Sequence, residues 1–154
     1  MRGGIIRRRE GHKVGDAIRV TFPIEPVAKG RPRFRVMYNR VSTRTPEKTK
    51  VFENSIATLY AQKVKGFKFE KQVPLQLEVY FGMPIPKSFS KKKRQQIEQG
   101  LIFPAVKPDL DNLLKAILDA LNGLAWYDDA QIVSITMDKG YSEEPHIELI
   151  IRQI

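Results

Sequence analysis

The residues best suited to chemistry are acids that flank one leucine-rich segment. Asp109 and Asp111 stand two positions apart before it, and the adjacent pair Asp128-Asp129 follows it. Lys115 comes four residues after Asp111, so on a helix the two would share one flank. Carboxylates gathered at one place repel each other and favour a hard cation, Mg²⁺ or Mn²⁺ rather than zinc. The chemistry that this set indicates is metal-assisted hydrolysis of a phosphodiester.

An amphipathic helix must position the first acids. Leucine and isoleucine recur at the spacing of one helix face from Leu110 to Leu121. Residues two apart on a regular helix point about 200° away from each other, so Asp109 and Asp111 cannot both face one site from its interior. Pro108 favours a helix boundary, which predicts Asp109 at the N-cap and Asp111 in the first turn. Spacing alone leaves open which end of this helix the later acid pair reaches.

Each piece of this set also has a simpler structural explanation. Asp109 alone would be a helix cap, and Asp111 with Lys115 would be a solvent-exposed pair of opposite charges. The later acid pair could be a polar turn, and Asp119 is expected on the solvated face of the helix. The combination, rather than any single residue, favours a catalytic interpretation.

Charge is distributed unevenly along the 154 residues, whose formal net charge is +10. Residues 1–104 hold 23 basic and 8 acidic side chains, whereas residues 105–154 hold 4 basic and 9 acidic ones. A basic body favours a polyanionic partner such as nucleic acid, although charged faces that only maintain solubility are the alternative. The candidates for contacts with the phosphate backbone, which could instead form a solvated basic loop, are Arg31, Arg33, Arg35, Arg40 and Arg44.

Composition excludes several other classes. The chain has no cysteine, which rules out disulfide scaffolds, thiolate zinc sites and cysteine nucleophiles. No apolar run approaches the roughly 20 residues of a membrane span, and the basic start lacks the apolar stretch of a signal peptide. We therefore expect a soluble, cytoplasmic protein with no membrane partner. Trp126 and Tyr127 are expected to pack in its core, with stacking on DNA bases as the alternative.

The length fits one ordinary domain. Residues 1–16, with five basic residues and paired glycines, are expected to form a flexible basic tail. Residues 17–154 are predicted to form a single-domain α/β (α+β) fold, a mixed β-sheet packed with helices. Strands are predicted at about 18–24, 75–81, 132–139 and 146–152. The first helix is predicted between Thr45, whose hydroxyl would cap it, and Gly66. Two further helices are predicted between Ser90 and Gly100 and over 110–121. Residues 29–44 are predicted to form a basic loop or irregular hairpin.

The segment KPDLDNLLKAILDALNGLAWYDDAQIV, residues 107–133, resembles the signature of the RusA family of Holliday junction resolvases. Its most specific part is D-x-D-N-x-x-K followed by D-D-A-Q. A looser similarity includes PIEPVAKGRPRF and TPEKTK, so the resemblance spans roughly residues 18–152. The sixteen-residue basic leader departs from the family pattern.

The resemblance implies a small homodimeric endonuclease of a bacterium, phage or prophage. Such an enzyme binds four-way DNA junctions and nicks two strands symmetrically with Mg²⁺, for which Mn²⁺ can substitute. The resemblance places the essential acids, as metal ligands, on Asp109, Asp111 and Asp129, and the active-site lysine on Lys115. Asp128 matches a neighbouring acid that would bind the metal or support its ligands. Two alternatives stay open: a nuclease for flaps, forks or other branched DNA, and a non-catalytic nucleic-acid-binding module with structural acids.

Overall fold

The structure, a computed structural model, describes residues 17–31, 33–38 and 40–154. Within these ranges, the side chains of residues 33, 35, 37 and 40–44 are outside the description. The tail predicted over residues 1–16 lies outside the described residues as well. No helix of the described part is both long enough and apolar enough to cross a membrane.

The described residues form six strands, three α-helices and one 3₁₀ turn. The strands are β1 (Ala17–Phe22), β2 (Arg33–Met37), β3 (Arg40–Arg44), β4 (Leu75–Pro84), β5 (Ile132–Ser142) and β6 (His146–Gln153). The helices are α1 (Glu47–Val64), α2 (Lys91–Glu98) and α3 (Leu110–Leu121), and the 3₁₀ turn Asp129–Gln131 precedes β5. The prediction of a single α+β domain with a mixed sheet is confirmed.

Four strands form the main sheet in the order β1-β6-β4-β5. Strand β6 pairs antiparallel with both β1 and β4, whereas β5 pairs parallel with β4 at the edge. A parallel pair needs a long crossover, and here the crossover contains α2 and α3. Strands β2 and β3 form a separate antiparallel hairpin, so the hairpin alternative for residues 29–44 is the correct one.

The core lies between the sheet and the helices α1 and α3. Alternate residues of β1, β4 and β6 are buried. Successive side chains of a strand point to opposite faces of the sheet, so a sheet with one face packed on the core buries every second residue. The buried stripe of α3 consists of Leu113, Ala116, Ile117 and Leu121. Because this stripe faces the core, Asp111 and Lys115 lie on the exposed flank of the same helix.

The start of α1 differs from its prediction. Pro46 is the N-cap residue, with a ψ of 142°, and no side-chain hydrogen bond caps the helix. The predicted capping role of Thr45 is therefore wrong, since Thr45 stands one position too early. At the other end Lys65 already adopts the left-handed conformation, with a φ of 53°, one residue before the predicted glycine stop.

Candidate active site

The N-terminal end of α3 presents two carboxylates to solvent. Asp109 is the N-cap residue, with a φ of −73° and a ψ of 149°, and its carbonyl oxygen accepts the first helical hydrogen bond from Leu113 at 3.1 Å. Its carboxylate makes no capping hydrogen bond. Asp111 follows in the first turn, and Lys115 lies one turn further, both exposed. The predicted places of Asp109 and Asp111 on the helix are confirmed, and both side chains face solvent.

The loop that leads to Asp109 is held by Lys139 of β5. The Nζ atom of Lys139 donates to the carbonyl oxygen of Val106 at 2.6 Å and to that of Pro108 at 2.9 Å. Lys139 pairs in register with Phe81 of β4, so its side chain points to the helix-covered side of the sheet. Sequence reasoning missed this lysine, because its partners are backbone carbonyls more than thirty residues earlier.

A second lysine joins three elements along the middle of α3. The backbone N–H of Lys29 donates to the carbonyl of Asn112 at 3.0 Å, and its Nζ lies 2.6 Å from Glu53 Oε1 and 2.9 Å from Asp119 Oδ2. Burial lowers the pKa of Lys29, but the hydrogen bonds and charges of Glu53 and Asp119 outweigh it and raise the pKa. Asp119 lies on the exposed face of the helix as expected, and it also pairs with a lysine of a distant loop.

Asp129 lies at the C-terminal end of α3. The fully buried Trp126 forms an isolated backbone β-bridge with Asn122, the residue directly after the helix. The Nε1 of Trp126 donates a hydrogen bond to Asp129 Oδ1 at 2.8 Å. Burial raises the pKa of the Asp129 carboxyl, the Trp126 hydrogen bond opposes that rise, and the charges of Asp119 and Asp128 add to it. The indole therefore fixes the orientation of this partly buried carboxylate.

Asp128 has a local structural task. Its Oδ1 accepts from the backbone N–H of Ala130 at 2.8 Å, and the Oε1 of Gln131 accepts from the backbone N–H of Asp128 at 3.2 Å. These reciprocal bonds form a capping box for the 3₁₀ turn. The carboxylate of Asp128 thus stabilises the turn that carries Asp129.

One chain places the first two acids at the start of α3 and the third near the other end of that helix. Helix α3 has 12 residues, which corresponds to a rise of about 18 Å between the end with Asp109 and Asp111 and the end near Asp129. The described residues contain no group of three or more His, Asp or Glu side chains placed to hold a metal ion. Mg²⁺ is commonly bound through one or two carboxylates, several waters and substrate phosphates. The exposed Asp109–Asp111 pair has donor chemistry that fits such an ion.

The remaining candidates have different surroundings. Arg31 is exposed just before the β2–β3 hairpin. The backbones of four further arginines lie in that hairpin, but their side chains fall outside the description: Arg33, Arg35, Arg40 and Arg44. Trp126 packs in the core as expected, whereas Tyr127 is 46% exposed, so the prediction of core packing is wrong for Tyr127.

Comparison with known proteins identifies the class. The family model described as Endodeoxyribonuclease RusA matches residues 23–152. The "Uncharacterized protein YqaN" of Bacillus subtilis (strain 168) is 41% identical over 139 residues, 90% of this chain and 98% of that protein. The crossover junction endodeoxyribonuclease rusA of Lactococcus phage r1t is 38% identical over 87 residues, 56% of this chain and 60% of that protein. This match assigns the α+β domain to a class of endonucleases. The chain belongs to the RusA endodeoxyribonuclease family.

Proposed function

We propose that this protein resolves four-way DNA junctions by paired, symmetric nicks, each made by Mg²⁺-dependent hydrolysis of a phosphodiester. The observation that carries the proposal is the exposed Asp109–Asp111 pair at the start of α3, where the Asp109 carboxylate is not used as a cap. Family membership supports the nuclease chemistry, and the name of the phage relative supports a crossover junction as substrate.

The proposed metal ligands are Asp109 and Asp111 of one subunit with the partner subunit's Asp129, because the length of α3 separates the two groups by about 18 Å within one chain. A bound Mg²⁺ would polarise the scissile phosphate and lower the pKa of an attacking water. Lys115, exposed one turn after Asp111, is suited to stabilise negative charge that develops on the phosphate. The Trp126 indole would keep the Asp129 carboxylate in one orientation through its 2.8 Å hydrogen bond. Mn²⁺, which accepts the same oxygen ligands, would substitute for Mg²⁺.

DNA binding is proposed to rest on the basic body of the chain. Residues 1–104 carry an excess of 15 positive charges, and the arginines from Arg31 to Arg44 are concentrated at the hairpin. Phosphate contacts release counterions, so affinity should fall steeply with salt, and each lost contact should reduce the slope by roughly one. The arginines would position the DNA backbone, while the acids of α3 act on one phosphate of it.

The two cuts of a symmetric junction call for two active sites related by a two-fold axis. A C2 homodimer supplies such a pair, and we propose this assembly. The bacterial and phage relatives, together with the DNA substrate, support a place in the bacterial cytoplasm.

A cleavage assay tests the proposal directly. A labelled four-way junction, a linear duplex and a flap substrate are incubated with wild-type protein or the Asp111→Asn variant, in Mg²⁺ or in EDTA. We expect paired nicks on the junction only with Mg²⁺ and only from the wild-type protein, while the variant still binds DNA. Cutting of flaps in preference to junctions would show that the substrate is another form of branched DNA. Binding without cutting in every metal would favour a non-catalytic DNA-binding module.

A further inference from the structure

An open cavity lies beside the start of β5, next to the 3₁₀ turn that carries Asp129. Its volume is about 430 Å³. Most of its lining is apolar or aromatic, and the residues that matter here are Lys71, Pro74, Tyr127, Asp128, Ala130 and Val133. Tyr127 is 46% exposed and Val133 is 61% exposed, so this apolar surface is accessible to a ligand.

The two walls of this cavity are tied together by one buried side chain. Gln131 is 8% exposed, and its Nε2 donates to the carbonyls of Glu70 at 2.7 Å and Val73 at 3.1 Å. Its Oε1 accepts from the backbone N–H groups of Tyr127 at 2.8 Å and Asp128 at 3.2 Å. Both amide donors and the acceptor of Gln131 are therefore occupied. The amide cross-links the turn before β4 to the turn before β5, so the cavity is formed without a ligand.

Two lysines lie over the aromatic ring of Tyr127, and one of them lines the cavity. The Nζ of Lys68 lies 3.7 Å from the centroid of the Tyr127 ring, and the Nζ of Lys71 lies 5.1 Å from it. Lys71 also lines the cavity. The carboxylate of Asp128 is an opposing charge in the same lining, and its Oδ1 accepts from the backbone N–H of Ala130 at 2.8 Å. An aromatic ring beside two ammonium groups matches a ligand with a flat π-system and a negative charge.

We propose that this cavity is a nucleotide subsite that takes one unpaired base of a branched DNA strand. Tyr127 provides the stacking surface once the base displaces the lysine ammonium groups that lie over its ring, and Lys68 and Lys71 then bind the flanking phosphate. The proposal rests on the proposed branched substrate, because a base within a continuous duplex is already stacked and cannot enter. A second copy of this chain is the competing occupant, which sedimentation without DNA distinguishes.

The position of the subsite connects it with cleavage. Tyr127 precedes the Asp128-Asp129 pair directly, and Gln131 follows it within the same short turn. A nucleotide held at Tyr127 would lie beside Asp129, one of the proposed metal ligands. The subsite therefore offers a physical means of selecting DNA with an unstacked base next to the phosphate to be cut.

Binding measurements in the Asp111→Asn background test the subsite without cleavage. The probes are a four-way junction with one unpaired thymidine at the branch point and a continuous duplex of the same length. Tyr127→Ala should weaken junction binding by roughly tenfold, as expected for loss of base–aromatic stacking, and leave duplex binding within about twofold. Tyr127→Phe retains the ring and should bind as the parent does. Phe103→Ala, which removes another exposed aromatic side chain, is the matched control.

Salt dependence tests the phosphate contacts. The double variant Lys68→Met/Lys71→Met should reduce the salt slope of junction binding by roughly two. Lys91→Met/Lys92→Met removes the same charge from α2 and should leave the difference between junction and duplex unchanged.

The outcomes separate this proposal from the proposed function. Unchanged junction affinity of Tyr127→Ala would overturn the subsite, whatever the cleavage assay gives. Mg²⁺-dependent nicking by Asp111→Asn would overturn the catalytic assignment and leave the binding result intact. A change in sedimentation of Tyr127→Ala without DNA, together with equal losses on junction and duplex, would assign the cavity to a subunit interface and also overturn the subsite.

Discussion

The Nζ atom of Lys139 lies 2.9 Å from the carbonyl oxygen of Pro108, the residue directly before Asp109. A second hydrogen bond of 2.6 Å connects the same ammonium group to Val106. The edge strand β5 thereby anchors the loop that enters α3. The position of the first proposed metal ligand is thus set by a residue of a strand that comes after the helix in the chain.

Lys139→Met is expected to impair both folding and cleavage. The methionine keeps an apolar stem but removes two hydrogen bonds to solvent-accessible carbonyls, each worth about 0.5–1.5 kcal/mol. We expect a lower free energy of unfolding in urea. We also expect a junction-nicking rate reduced by at least about tenfold, because the loop that positions Asp109 is no longer held by β5. Lys139→Arg keeps donors and should recover part of the rate. Lys92→Met is the control, and a nicking rate of Lys139→Met equal to that of this control would contradict the positioning role.

The separation of the acids along α3 predicts sites that the two subunits of the proposed dimer share. If Asp109 and Asp111 of one subunit act with the partner subunit's Asp129, then Asp111→Asn and Asp129→Asn each inactivate both sites of their own homodimer. A mixed dimer of the two variants instead contains one fully intact site. We expect the two inactive proteins, refolded together, to recover Mg²⁺-dependent nicking of a single strand of the junction. A mixture as inactive as its components would indicate that each site is built within one chain.

Tyr60 is predicted to be a site where removal of a polar atom stabilises the domain. Its hydroxyl is buried in the core without a hydrogen-bond partner among the described residues, and burial raises its pKa. Tyr60→Phe keeps the ring and removes the unpaired hydroxyl, so the free energy of unfolding should rise by about 1 kcal/mol. Tyr127→Phe, at an exposed ring, should change it by less than about 0.5 kcal/mol. A destabilised Tyr60→Phe protein would mean that the hydroxyl has a favourable contact.

The ion cluster of Lys29 predicts a loss of stability at high pH. The pKa of Lys29 in the folded protein is raised above its ordinary value of 10.5 by Glu53 and Asp119, against the opposing effect of burial. The stabilisation is therefore complete below pH 10.5 and disappears as the pH rises through the folded-state pKa. Urea unfolding should show a stability difference between wild type and Lys29→Met that is larger at about pH 9 than at about pH 11. A difference that does not change with pH would contradict the raised pKa.

The parts of the structure that could be predicted are those determined by local sequence. The periodic apolar residues of α3 and the boundary at Pro108 place Asp109 and Asp111 correctly, because helix faces and caps depend on neighbours in the chain. The roles of Lys139 and Gln131 could not be predicted, since their partners are backbone carbonyls brought near by the sheet.

Asp119 illustrates the same limit for charged residues. On the helix alone it lies outside the apolar stripe, which favours a solvated position. Its partner Lys29 comes from a loop ninety residues earlier, and only the packing of α1 and α3 brings the two together.

The strand order has a consequence for how the protein is made. Among the described residues, β6 is the last strand, yet it lies between β1, the first, and β4. During translation, the edges that β1 and β4 offer to β6 stay unpaired until the ribosome has released residues 146–153, and contacts of this sequence separation form slowly. A nascent chain therefore completes its sheet only after every acidic residue of the proposed site has been synthesised.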